Sequence, residues 1–167
     1  YITATTIVIA AGTRPFIPDI PGLENVPFIT SDEALRLPKQ PKRLTIIGGG
    51  YIAAEMAHFF GAMGTDVTIV QRHNLLLRTE DEDVSQRFTE IYQRKFNLLL
   101  NAQIQKAYMD SNGIALDVLV DGETETIISD SLMLATGRIP NSDRLKVSNT
   151  GVEVDQMGFI KTDGDLE

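Results

Sequence analysis

The sequence predicts an α/β fold: a parallel sheet with helices on one or both faces, and an antiparallel three-stranded meander in place of one crossover. Three observations lead there. A β-branched run, Thr45-Ile46-Ile47, breaks into Gly48-Gly49-Gly50 and continues as an Ala-, Met- and Phe-rich helical stretch toward a second apolar run, Val67-Thr68-Ile69-Val70. That order is strand, tight turn, helix, parallel strand. Farther on, Asn112-Gly113 and Asp121-Gly122 separate three short strand-like runs, which is the chemistry of hairpin turns. Ser131-Leu132-Met133-Leu134-Ala135 then returns as an apolar run suited to a strand buried on both faces.

The elements follow in order. Thr5-Thr6-Ile7-Val8-Ile9-Ala10 reads as an opening strand that needs neighbours on both sides. Gly12-Thr13-Arg14-Pro15 and the Pro-studded Pro18-Asp19-Ile20-Pro21-Gly22 are extended linker chemistry. Thr30 with Glu33 forms a capping box for a short helix through Leu37, stopped before Pro38. The central helix covers about 51–63, with Gly64 as its C-terminal stop. A second helix covers about 83–96, with Val84, Phe88, Ile91 and Tyr92 at helical spacing, and Leu98-Leu99-Leu100 supplies the next parallel strand. The meander strands are 104–109, 115–120 and 123–128. Residues 152–162 suit a further edge hairpin, and the segments around Gly12-Thr13-Arg14-Pro15 and Gly137-Arg138-Ile139-Pro140 echo each other.

Composition narrows the function. The chain has 167 residues, a net charge of −8, no cysteine and two histidines fifteen positions apart. Disulfide and thiol chemistry within the chain are excluded, and zinc ligation finds no donor cluster. The basic residues are scattered on an acidic background, which argues against nucleic acid. No run approaches the ~18 apolar residues of a membrane span. The organisation expected is a linker strand and short helix over 1–40, a nucleotide-binding domain over 41–141, and a tail over 142–167. Within that tail, residues 165–167 are set aside as a cloning scar, and the whole is taken as a piece of a longer protein.

The glycine turn carries the chemistry. Gly48, Gly50 and Ala53 form Gly-x-Gly-x-x-Ala, the Rossmann-like fingerprint of a dinucleotide site, with Gly49 and Ile52 inside it. Gly48 permits the turn, Gly50 leaves room for a pyrophosphate, and Ala53 keeps the helix close to the strand. The helix N-terminus offers free N–H groups to phosphate oxygens. At the end of the second strand, where an NAD site carries an acid for the ribose 2′-OH, this chain has Gln71, then Arg72, His73 and, six residues after Arg72, Arg78. Guanidinium forks suit a 2′-phosphate, and two partly exposed arginines would contribute about 2–4 kcal/mol. NADPH is therefore favoured over NADH. The alternative is that both arginines are solvated loop residues in the acidic stretch Glu80-Asp81-Glu82-Asp83.

These motifs, in this order, resemble the central pyridine-nucleotide domain of the flavin-dependent disulfide reductases, the group of glutathione reductase, dihydrolipoamide dehydrogenase, mercuric reductase and mycothione reductase. Ala10-Ala11-Gly12 resembles the segment where that family leaves its FAD domain. Ala135-Thr136-Gly137-Arg138-Ile139-Pro140-Asn141 resembles the segment where it returns, and places Ala135, Thr136, Gly137 and Arg138 among the cofactor-binding candidates. The resemblance implies that Tyr51 covers the flavin ring, that Glu55 lies near the nicotinamide carboxamide, and that Arg72, His73 and Arg78 surround the 2′-phosphate. Ala57-His58 and Arg87-Phe88-Thr89 look most like mycothione reductase. The missing acid after the second strand sets the chain apart from NADH-using dihydrolipoamide dehydrogenase.

The implied parent is a cytoplasmic enzyme of redox homeostasis that takes hydride from NADPH onto FAD and passes electrons to a cysteine pair outside this chain. That pair would reduce a small-molecule or lipoyl disulfide. The resemblance implies further FAD and dimerisation domains, a full-length homodimer, no catalytic residue within the chain, and no metal. Other classes are an NADH-using dihydrolipoamide dehydrogenase, a two-dinucleotide flavoprotein without the disulfide (NADH oxidase or ferredoxin reductase type), and a nucleotide-sensing module that meets no flavin.

Overall fold

A computed structural model describes residues 3–164. In chain order its elements are β1 (Thr13–Pro15), α1 (Ser31–Ala34), β2 (Arg43–Ile47), α2 (Tyr51–Ala62), β3 (Asp66–Val70), α3 (Glu82–Gln93), β4 (Asn97–Leu99), β5 (Gln103–Asp110), β6 (Gly113–Val120), β7 (Glu123–Ser129), β8 (Ser131–Leu134), β9 (Arg138–Pro140) and α4 (Ser142–Leu145). They divide into two compact units. One comprises residues 17–137; the other is built from the stretch up to residue 16 and the stretch from residue 138 onward.

In the larger unit a parallel sheet runs in the order β4-β3-β2-β8. β2 pairs in register with β3 on one side and β8 on the other, so it is hydrogen-bonded along both edges. Alternate residues of these strands enter two separate cores, as the two-residue period of a strand demands. Leu44, Ile46, Val67, Ile69 and Met133 pack with Ala53, Ala57 and Phe60 of α2 and with Tyr92 of α3. Ile47, Val70, Leu132 and Leu134 pack instead with Ala107, Leu116 and Val118 of the antiparallel sheet β5-β6-β7. The meander thus covers the face that a crossover helix would otherwise cover. The predicted architecture is borne out.

The linker before α1 is fixed against this framework. Ile29 bridges Met133 in parallel, and the Ala107 N–H donates to the Pro21 carbonyl at 2.8 Å. Gly22, at φ +82°, passes so close to the Ala107 carbonyl that a Cβ would lie 2.2 Å from it. The capping box at Thr30 forms as predicted, but α1 is a single turn ending at Ala34 and not a helix through Leu37.

Three further expectations are corrected. Residues 5–10 form no strand; Ile7 and Val8 are 78% and 84% exposed. An extended segment becomes a strand only when a second backbone supplies its hydrogen bonds, and among the described residues none does. In α3 the buried residues are Ser85, Thr89 and Tyr92, whereas Val84 is exposed, so the helix is rotated from its expected apolar stripe. The β5–β6 loop is Ser111-Asn112, with Asp110 paired to Gly113, because the Asp110 carboxylate accepts the Asn112 N–H at 2.8 Å and closes the turn itself. The second loop is Asp121-Gly122 as predicted, both at positive φ.

In the smaller unit β1 and β9 pair antiparallel, Arg14 opposite Ile139, which joins the two echoing segments. The Arg14 guanidinium donates to Asp143 at 2.6 and 2.9 Å, and Val154 bridges Ile160 in the tail. The expectation of a cloning scar at 165–167 lies outside the described residues. No helix among them is long and apolar enough to cross a membrane.

Candidate functional site

Three loops leave the carboxyl ends of neighbouring parallel strands in the larger unit: residues 48–50 after β2, residues 71–78 after β3, and residues 135–137 after β8. The carboxyl edge of a parallel sheet is where such folds bind ligands.

The first loop requires its glycines for separate reasons. Gly48 sits at φ +125°, and a Cβ there would lie 2.2 Å from the Ala135 carbonyl oxygen, so only glycine lets the ends of β2 and β8 converge. A Cβ on Gly49 would lie 2.2 Å from the Gln71 side-chain nitrogen. Gly50 is different, because a Cβ there meets nothing within 4 Å. Its missing side chain leaves open space directly in front of α2. Gly50 caps that helix without a side-chain hydrogen bond, and the first helical bond runs from the Ala54 N–H to the Gly50 carbonyl. The amides of Tyr51, Ile52 and Ala53 precede that bond and have no carbonyl one turn back. Open space backed by amides at the positive end of a helix fits a pyrophosphate.

On the exposed side of α2, Tyr51 is 63% exposed and Glu55 follows one turn later. Ala53 is buried against the sheet, the close contact its small side chain permits.

The second loop holds the basic residues. Gln71 is buried beneath Gly49, and its side-chain N–H donates to the Leu75 carbonyl at 3.3 Å. Arg72 is exposed, and its Nε–H donates to Nε2 of His73 at 3.1 Å. Only a neutral imidazole accepts at that nitrogen. Partial burial, then the charges of Arg78 and Arg72, hold the His73 pKa below its ordinary value. Both guanidinium charges therefore act on one imidazole. Among the described residues the ion pairs are Arg14–Asp143, Arg43–Asp130, Arg87–Glu90, Lys106–Asp117 and Lys161–Glu153. Neither Arg72 nor Arg78 is paired with the neighbouring acids.

The third loop supplies backbone. The Ala135 N–H donates to the Ile47 carbonyl at 2.8 Å, and Gly137 follows at φ +118° with open space beside it. Arg138 belongs to the other unit, where its guanidinium donates to the Thr13 hydroxyl and carbonyl at 2.6 and 2.8 Å. Gly48 to Ala53, Glu55, Gln71, Arg72, His73, Arg78 and Ala135 to Gly137 thus share one sheet edge, and Arg138 is held separately.

Sequence reasoning missed the residues that fix the second loop. The Leu77 N–H donates to the Gly49 carbonyl at 2.7 Å, although Leu77 sits at φ +50°, a region costly for a branched side chain. Leu76 is buried, and its N–H donates to the Thr89 hydroxyl at 3.0 Å. Ser85 donates to the Leu77 carbonyl at 2.7 Å. The signal available beforehand was two hydroxyl residues one turn apart, Ser85 and Thr89, on an otherwise amphipathic helix.

Comparison with known proteins agrees with this geometry. The profile of the family described as pyridine nucleotide-disulphide oxidoreductase matches residues 1–167. A mycothione reductase of Mycobacterium tuberculosis (strain ATCC 25618 / H37Rv) is 41% identical over 153 residues, covering 92% of this chain and 33% of its own. The HOCl-induced flavoprotein disulfide reductase RclA from Escherichia coli superposes with a TM-score of 0.80 at 30% identity, over 93% of this chain and 35% of that one. An engineered water-forming NADPH oxidase bound to NADPH superposes at 0.77 with 29% identity, over 91% of this chain and 34% of its own. The chain spans about a third of the length of these proteins. It belongs to the pyridine nucleotide-disulphide oxidoreductase family.

Proposed function

We propose that this chain is the NADPH-binding part of a cytoplasmic, FAD-dependent disulfide reductase. In this reading residues 41–141 hold the dinucleotide. Residues 1–40 and 142–167 connect it to an FAD domain, which is followed by a dimerisation domain. NADPH supplies a hydride that reduces FAD, and a cysteine pair elsewhere in the homodimeric protein passes the electrons to a small-molecule or lipoyl disulfide. The residues here orient the cofactor and leave the chemistry to it. Gly48 to Ala53 hold the pyrophosphate, with Ala135 to Gly137 lining the neighbouring strand end. Tyr51 and Glu55 lie along the nicotinamide, and Arg72, His73 and Arg78 hold the 2′-phosphate, with Gln71 filling the space beneath Gly49. Arg138 anchors the return strand.

One observation supports NADPH most strongly. The engineered NADPH oxidase carries five substitutions: a glycine to alanine and then, eighteen, nineteen, twenty and twenty-five positions later, changes to alanine, arginine, serine and arginine. Ala53, Gln71, Arg72, His73 and Arg78 stand at those same intervals in this chain. Both arginines and the small residue of the fingerprint recur, and an acid is absent from the end of β3 in each. In this chain the physical cause is two guanidiniums with no acidic partner among the described residues, which offer charge-assisted donors to phosphate oxygens.

Calorimetric titration with NADP⁺ and NAD⁺ separately, at moderate salt, tests this. We expect a preference for NADP⁺ of about 30-fold or more, from roughly 2 kcal/mol at the two arginines. Arg72→Ala should remove most of it and leave NAD⁺ affinity unchanged. Gly50→Val should weaken both by filling the pyrophosphate space. Equal affinities in the wild type would return NADH and the dihydrolipoamide dehydrogenase type to first place.

A further inference from the structure

The loop after β3 places two arginines and a histidine without any regular structure of its own, and what fixes it lies outside the residues that would meet a ligand. Its first half is tied to the edge strand: the Gln71 N–H donates to the Leu99 carbonyl at 2.8 Å and the Asn101 N–H to the His73 carbonyl at 3.0 Å. Its second half is tied to α3. Thr89 Oγ1 accepts the Leu76 N–H at 3.0 Å and donates to the Ser85 carbonyl at 2.7 Å. Ser85 Oγ donates to the Leu77 carbonyl at 2.7 Å. Leu77 in turn donates its N–H to the Gly49 carbonyl at 2.7 Å, from a left-handed backbone conformation. Leu76 and Leu77 are therefore clamped between two hydroxyls of α3 and the carbonyl of the glycine turn, and Arg78 is the next residue.

Ser85 and Thr89 are 2% and 3% exposed, so neither hydroxyl reaches a ligand. We propose that Ser85 and Thr89 are positioning residues for 2′-phosphate recognition: they set the place of Arg78 relative to Arg72 and join the basic loop to the glycine turn. This rests on the NADPH reading above. A strained residue at a ligand site persists only where its surroundings over-determine it, and Leu77 is held on both its N–H and its carbonyl. The glycine turn has its own anchor, the Gly48 N–H to the Val70 carbonyl at 2.9 Å. Loosening the clamp should displace Arg78 relative to Arg72 and spare the pyrophosphate loop.

The test compares NADP⁺ and NAD⁺ affinities of the protein as its gene encodes it with those of Ser85→Ala, Thr89→Val and Thr89→Ser. Ser85→Ala removes one hydroxyl and no packing, and carries the test where Thr89→Val disturbs folding. We expect Ser85→Ala and Thr89→Val to lose about tenfold in NADP⁺ affinity, the scale on which small misplacements of binding groups act. NAD⁺ affinity should stay within about twofold, and Thr89→Ser, which keeps both hydrogen bonds, should restore the preference. A lower melting temperature with an unchanged NADP⁺:NAD⁺ ratio would overturn the proposal and leave the hydroxyls a purely structural role. A wild type without NADP⁺ preference would instead defeat the NADPH reading, and this inference with it.

Discussion

His73 is where residue-scale electrostatics make the candidate site testable without any ligand. Its Nε2 accepts from Arg72 at 3.1 Å, and partial burial with the Arg78 and Arg72 charges lowers its pKa. In the unfolded chain the same imidazole titrates near about 6.5. Between the folded and unfolded values the unfolded state binds more protons, so stability rises with pH across that window. The stability is complete above about pH 6.5 and is lost as pH falls toward the folded value. His73→Gln should flatten that part of the stability–pH curve. NMR of the imidazole should show it titrating below the ordinary value in the free protein. Adding NADP⁺ should move it upward, because a dianion beside the ring reverses the sign of the field. An imidazole titrating at or above its ordinary value in the free protein would contradict the arrangement of the two guanidiniums around it.

At the scale of elements, the contact between α2 and α3 separates stability from recognition. The Tyr92 hydroxyl donates to the Ala54 carbonyl at 3.0 Å across the two helices, and its ring stacks on Phe88 with centroids 4.1 Å apart. Burial first, and the Glu55 charge second, push the phenol pKa up, so the group stays a neutral donor. Tyr92→Phe keeps the ring contacts and should cost about 0.5–1.5 kcal/mol in urea unfolding. It should leave the NADP⁺:NAD⁺ ratio unaltered, because the Ala54 carbonyl points along α2 and away from the amides of its first turn. A changed ratio would mean that α3 acts on the nucleotide through its packing as a whole and not through Ser85 and Thr89. The same helix shows where sequence patterning reaches its limit. Phe88, Ile91 and Tyr92 announced the helix, and the glycine turn announced the strand before it and the helix after it. Val84 against Ser85 was not decidable locally: Ser85 turns inward because the Leu77 carbonyl, eight residues away, needs a donor. Arg138 was likewise grouped with its chain neighbours, whereas its hydrogen-bond partner Thr13 lies 125 residues away.

Across the whole molecule, the two units are held by interactions of different strength. In the larger one, β2 is bonded on both edges, with Leu44 and Ile46 buried against helices and Thr45 and Ile47 buried against the meander. Opening that strand exposes apolar surface on both faces at once, which ties its opening to global unfolding. In the smaller one, β1 and β9 are three residues each and none is fully buried. Its main ion pair, Arg14–Asp143, leaves the Asp143 side chain 57% exposed. Solvent screening keeps the contribution of so exposed a pair small. Native-state hydrogen exchange should therefore show the Thr45, Ile46, Ile69 and Met133 amides exchanging only with the global free energy. The Arg14 and Ile139 amides should open at least about 2 kcal/mol below it. Equal protection in both units would show that the β1–β9 pairing unfolds only with the parallel sheet. In that event Arg14→Ala would lower the global midpoint instead of releasing the smaller unit alone.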